Sequence, residues 1–284
     1  MLLQQAKPGN GLDHWVHSYR QYSFAPSDNR QFTCLPGTGA ELWLLHSGKL
    51  SHSGEPLGDG LLCLRSRRLE FRQTGLRVFA IRFRAGSLPF FTCRPLTKLV
   101  DHFTPVNALW DAAAVQQLGA LHCSPNFAEQ CLLAERFLYS RLRAGDRLEH
   151  MQQMATAMYE QSADFVLGDY AEKMHRDRSY LSRQFRDIHG TSAKHYHRLC
   201  RFERFLRDAL FAAKPSLAGL AVDHGYYDQA HMNNEVRQLS HQSPRVLLAQ
   251  DETRLFYSQR FNPSPKTSFS YATSLEPNSS SPLR

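Results

Sequence analysis

The chain has 284 residues, 42% of them hydrophobic and 21% charged, enough for one or two domains with buried cores. That composition excludes a disordered, collagenous or coiled-coil protein. Lys and Arg number 34 against 26 Asp and Glu, a formal net charge of +8, which admits nucleic acid, anionic membrane or acidic ligands as partners.

The first twelve residues hold one Lys and no long apolar core, so they do not read as a secretory signal. No run approaches 18 apolar residues, and no membrane partner is expected. The six cysteines (Cys34, Cys63, Cys93, Cys123, Cys131, Cys200) form no CxxC pair, which argues against a zinc ribbon or redox motif. Each reads as a small core hydrophobe in a reduced, cytoplasmic protein. His195 and His197 form an HxH, but residues two apart on a helix do not share a face, and no HExxH occurs. No metal site, no cofactor and no catalytic residue is expected.

Residues 1–105 carry short apolar runs broken by Gly and Pro. Residues 41–45, 61–65, 69–73 and 78–84 read as strands, the last ending in the alternation Ile81-Arg82-Phe83-Arg84. Turn signals fall at Pro36-Gly37, Gly39, Gly48, Gly54, 58–60 and Gly75. Closely spaced strands of this kind predict a small β-barrel or sandwich. Its arginines (Arg65, Arg67, Arg68, Arg72, Arg77, Arg82, Arg84) read as outward strand faces, with an acidic ligand as the alternative. Residues 130–142 place Leu133, Phe137, Leu138 and Arg141 at helical spacing, a connector helix that Gly145 is expected to end. The predicted layout is a β-rich sensing or dimerisation domain over 1–112, a helical connector over 113–145 and an all-α domain over 146–250. Residues 251–284 hold eight Ser and four Pro and are expected to be disordered.

The all-α region contains an internal repeat. Leu167-Gly-Asp-Tyr170-Ala171-Glu-Lys-Met174, followed by a turn and a longer helix, aligns with Leu217-Ala-Gly-Leu220-Ala221-Val-Asp-His224 at an offset of 50, or 51 beyond the turn. Each copy is a short helix, a tight turn and a longer helix, a helix-turn-helix present twice, at about 165–190 and 216–241. Ala171 and Ala221 supply the small residue needed where the helices cross. Leu181, Phe185 and Ile188 make the apolar stripe of the first long helix, and Met232, Val236 and Leu239 that of the second. Asp177, Asp228 and Ser216 stand where N-caps belong.

The run Gly225-Tyr226-Tyr227-Asp228-Gln229-Ala230-His231 with Ser243-Pro244, and Leu181-Ser182-Arg183-x-Phe185 with Gly190-x-Ser192, resembles the signature of AraC/XylS-type transcription regulators. The resemblance spans about 100 residues, from Arg147 to Leu248. It implies a sequence-specific DNA-binding regulator with an N-terminal sensing and dimerising domain. Double-stranded DNA is the implied partner, with RNA polymerase, a small-molecule effector and a second copy of the chain as further candidates. His175 and His241 replace frequent glycines, so those turns are expected to be looser or differently shaped. Met232 and Val236 replace the usual Phe residues.

A recognition helix enters the major groove and touches base edges with its outer face. In the first unit Ser179, Ser182 and Arg183 are the candidates for base contact, and in the second Gln229, Asn233 and Asn234. Arg186 and Arg237 lie further along and are placed for phosphate. A solvated side chain or a phosphate contact is the alternative at each position. Residues 193–211 read as a spacer helix with Arg198, Arg201, Arg204 and Arg207 every third residue. Such steps drift around a helix, so one or two are expected to meet phosphate and the rest to be solvated or ion-paired. Residues 173–207 hold ten positive against three negative side chains, whereas 215–250 hold two against three, so the first unit should supply most of the phosphate attraction. Two other function classes compete: a DNA-repair enzyme fused to a helix-turn-helix, which would need a zinc-held Cys cluster, and a helix-turn-helix used only for protein contacts.

Overall fold

The computed structural model describes residues 2–9, 11–124, 126–212 and 216–250. The tail expected to be disordered lies outside the described residues. The N-terminal part is an eight-stranded antiparallel sheet: β1 (Leu2–Ala6), β2 (Val16–Ser23), β3 (Asn29–Cys34), β4 (Glu41–His52), β5 (Glu55–Leu57), β6 (Gly60–Leu62), β7 (Leu69–Phe83) and β8 (Phe103–Pro105). The order is β1-β2-β7-β4-β6-β8, with β3 on the first half of β7 and β5 on the end of β4. A helical part follows, so the chain combines an antiparallel β domain with a helical region.

The two strands expected at 69–73 and 78–84 are one strand, β7, and the strand expected at 41–45 runs on to His52. Gly48 and Gly75 therefore mark no chain reversal. Both have positive φ (81° and 56°), and a Cβ on Gly48 would stand 2.4 Å from the Gly75 carbonyl oxygen. The β4–β7 register shifts beside Gly48, so these glycines form a bulge that bends the long ribbon. One face of the sheet encloses Trp43, Phe71, Leu50, Leu62 and Val78, with Phe32 and Phe103 against them. The other face carries Leu42, Leu44, Phe79, Ile81 and Phe83 into a second core that continues through the helices as far as Leu247.

Two of the sensor arginines expected on outward faces are buried instead. Arg82 pairs with Glu41 at 3.3 Å, and the fully buried Arg65 donates to the carbonyls of Leu35, Gly39 and Cys63. Charge placed inside the sheet is tolerated because these acceptors surround it. The expectation of six core cysteines holds for four, while Cys93 and Cys123 are exposed.

The helices are α1 (Val106–Leu109), α2 (Ala112–Gly119), α3 (Phe127–Arg141), α4 (Asp146–Glu160), α5 (Leu167–Lys173), α6 (Arg178–His189), α7 (Ala193–Phe211), α8 (Leu217–Asp223), α9 (Gln229–Ser240) and α10 (Pro244–Ala249). The connector helix α3 starts at an Asn126 cap and stops before Gly145. Gly145 instead precedes α4 as its N-cap, so it opens a helix rather than closing one. Among the described residues, no helix is long and apolar enough to cross a membrane, and no group of three His, Cys, Asp or Glu is arranged to hold a metal ion.

Candidate nucleic-acid interface

Each helix-turn-helix is built by the same local chemistry. Asp177 Oδ1 accepts from the Tyr180 N–H at 2.9 Å to start α6, and Asp228 Oδ1 accepts from the His231 N–H at 2.7 Å to start α9. Ser216 caps α8 through the Gly219 N–H at 3.2 Å, and Ser192 caps α7 through the His195 N–H at 3.2 Å. Ala171 and Ala221 are buried at the crossings. The carbonyl of Ala171 accepts from the Arg176 N–H at 2.9 Å, and that of Ala221 accepts from the Tyr226 N–H at 2.9 Å.

That equality corrects the expectation of looser turns. His175 adopts φ 50° where the second unit has Gly225 at 70°, and His241 adopts 58° where the first has Gly190 at 74°. The histidines take the left-handed conformation, and the surrounding hydrogen bonds hold them there. The stripes are buried as expected: Leu181, Phe185, Met232, Val236 and Leu239 all lie in the core, with Ile188 partly buried.

On α6, Ser179, Arg183 and Arg186 are exposed and Ser182 is half-buried. These four line one open groove together with Arg178 and Ser192. Neither Arg178, Arg183 nor Arg186 has an ion-pair partner among the described residues. Arg178 and Ser192 were missed as candidates, although Arg178 precedes Ser182 by four residues and so shares its helical face. Ser192 appeared in the sequence only as part of the Gly190-x-Ser192 motif.

On α9, Asn234 and Arg237 are exposed, while Gln229 and Asn233 are half-buried. Asn233 turns its Oδ1 into the protein, where it meets no donor among the described residues. The second unit therefore offers a narrower polar face than the sequence pattern implied.

The spacer α7 spans the residues expected of it, but its arginines point to a different use. Arg198 and Arg201 each pair with Glu235 at 3.1 Å, Arg204 donates to the carbonyls of Tyr159 and Glu160, and Arg207 pairs with Asp208 at 2.8 Å. Arg198, Arg201 and Arg204 tie α7 to other helices, whereas Arg207 pairs with its neighbour on α7 itself. Ion pairing was expected for some of them; the structure gives all four internal partners, and those of Arg198, Arg201 and Arg204 were hidden in the sequence because the acceptors come from other helices.

Four histidines of this region are depressed in pKa. Burial pushes His189 from 6.5 down to about 4, although its Nε2 donates to the Met151 carbonyl at 3.1 Å. Burial also lowers His195, His197 and His224. The buried thiols of Cys63, Cys131 and Cys200 are pushed the other way, Cys63 by burial to about 12, which keeps it protonated and poorly nucleophilic.

The site touches the sheet domain directly. Gly190, at the end of α6, seats against Leu96 and Thr97, and Gly86 lies against Ala155 and His189. Glu203, in the middle of α7, accepts from the Thr38 N–H at 3.1 Å and from the Thr38 hydroxyl at 2.5 Å.

Two helix-turn-helix units joined by a long helix define a class of DNA-binding domain. Residues 170–250 match a family model described as a helix-turn-helix domain. No match is found among curated proteins. Among solved structures, the chain is similar to ToxT from Vibrio cholerae, at 10% identity over 87% of this chain and 98% of that one, with a TM-score of 0.45. It is also similar to the C-terminal domain of AraT, a response regulator from Geobacillus stearothermophilus, at 21% identity over 40% of this chain and 88% of that one, TM-score 0.34. A DNA-binding transcriptional dual regulator from Escherichia coli K-12 shows 21% identity over 39% of this chain and 93% of that one, TM-score 0.31.

Proposed function

We propose that this protein is a sequence-specific DNA-binding transcription regulator of AraC/XylS type. The observation that carries the reading is the groove on α6, where Arg178, Ser179, Ser182, Arg183 and Arg186 converge and the arginines have no ion-pair partner among the described residues. In this reading α6 lies in one major groove and α9 in the next. Arg183 takes guanine through O6 and N7, worth about 1–3 kcal/mol of discrimination. Ser179 and Ser182 touch neighbouring base edges, and Arg186 takes phosphate. Gln229, Asn233 and Asn234 read bases from α9, with Arg237 on phosphate.

Residues 1–112 act in this proposal as the sensing or dimerising domain, 113–145 as the connector and 146–250 as the DNA-binding domain. A small-molecule effector, a second copy of the chain and RNA polymerase are the partner classes that go with it. The contact of Glu203 with Thr38 supports a coupling between the sheet and the spacer helix.

The test is a gel shift of the full chain on duplexes selected from a random pool, across a salt series. Sequence-preferring binding that weakens with salt is expected. Arg183→Ala should relax preference at one base pair while leaving others intact. Equal weakening on every sequence would make Arg183 a phosphate contact, and no salt-dependent preference for any duplex would refute the reading.

A further inference from the structure

The two units are fastened differently. The C-terminal end of α6 is backed by α4 and by the sheet domain at Leu96 and Thr97. α9 packs on α8 and α10, and charged side chains join it to α7. Glu235, 6% exposed, accepts from Arg198 Nε at 3.1 Å and from Arg201 Nη2 at 3.1 Å. Arg198 also donates to Gln238 Oε1 at 2.9 Å. Arg201 donates to the Gly225 carbonyl at 3.1 Å and stands over the Tyr226 ring at 4.9 Å. One guanidinium thus grips the turn and the recognition helix of unit two together. At the matching place in unit one stands Gln184, which carries no charge, so the arrangement is not part of the repeat.

We propose that Glu235 is the positioning residue that gives unit two its specificity. It holds α9 on α7 through Arg198 and Arg201, and it keeps both guanidinium groups off the DNA backbone. A buried carboxylate between two arginines fixes geometry, because any shift of α9 strands a charge away from its partner. The same pairing removes two cations from the surface beside α9. Unit two is left with Arg237 for phosphate and reads bases with neutral amides. This inference rests on α9 facing DNA.

Glu235→Gln separates positioning from fold stability. The amide keeps the shape but gives Arg198 and Arg201 no counter-charge, so both can take phosphates. The probes are duplexes selected by the wild-type protein, the same duplexes with either half-site scrambled, and a fully scrambled duplex. The variant should lose about tenfold or more of its discrimination at the second half-site and keep that at the first. Its affinity for the fully scrambled duplex should rise, with a salt dependence steeper by about 0.9 for each phosphate gained. Loss of stability alone would weaken all probes together and leave the salt slope unchanged. Unchanged second-half discrimination, or an unchanged slope, would overturn the proposal.

If Glu235→Gln does not fold, Arg198→Gln decides, because it leaves the Glu235–Arg201 pair in place. Partial loss of second-half discrimination supports the proposal and none overturns it. If the wild type binds no duplex, the DNA reading itself has failed. Positioning is then read by amide exchange in the full chain: faster exchange in α9 but not α6 of Glu235→Gln supports it, and equal rates refute it.

Discussion

Glu203 reaches from the spacer helix into the sheet domain, and the packing around it makes a sign-specific prediction. The side chain is 1% exposed, and its Oε2 serves both the N–H and the hydroxyl of Thr38. Gly37 lies against the same carboxylate, where a Cβ would stand 2.4 Å from Oε1 and 2.9 Å from the carboxyl carbon. Glu203→Ala leaves two buried donors without an acceptor, each costing about 1–3 kcal/mol, for a total of about 2–6 kcal/mol. Gly37→Ala in the wild type pushes the carboxylate off both donors and should cost about 1–3 kcal/mol by overpacking alone. In the Glu203→Ala background the obstructing atoms are gone, and the same alanine should cost under about 0.5 kcal/mol. Urea unfolding of the four full-length proteins, followed by fluorescence and circular dichroism, measures the cycle. Additivity within about 0.5 kcal/mol would refute the packing argument.

Two further outcomes follow from local chemistry. His189 has a folded pKa near 4 against 6.5 unfolded, so folding prefers the neutral ring. Its contribution is complete above about pH 6.5 and declines as pH falls toward 4, by about 3 kcal/mol in total. His189→Met should remove that part of the acid sensitivity, and stability curves that run parallel between pH 7 and 4.5 would count against it. His175 and His241 hold left-handed backbone at φ 50° and 58°. Replacing either with Gly should stabilise the protein by up to about 1 kcal/mol, read as a higher denaturation midpoint. A lower midpoint would mean that the imidazoles make contacts outweighing the strain.

The repeat was legible because its determinants are local. Caps at Asp177, Asp228 and Ser216, small residues at Ala171 and Ala221, and apolar stripes at helical spacing all act within one or two turns of chain. The spacer helix was legible to the residue for the same reason. The groove on α6 was largely readable too, since Ser179, Ser182, Arg183 and Arg186 share a face by helical period alone. Arg178 shares it by the same period and was overlooked.

The sequence by itself thus determined the helices, their caps, the buried stripes and the outer face of α6, because each depends on neighbours a few residues away. Tertiary structure alone decided which charges are free. Arg198 and Arg201 find Glu235 more than thirty residues later, Arg82 finds Glu41 across two strands, and Arg65 finds three carbonyls. Gly48 and Gly75 look like turns in sequence and meet face to face inside a bent ribbon. Charges and glycines take their roles from what packs against them. A one-dimensional pattern records which residues are present, while long-range packing selects their partners.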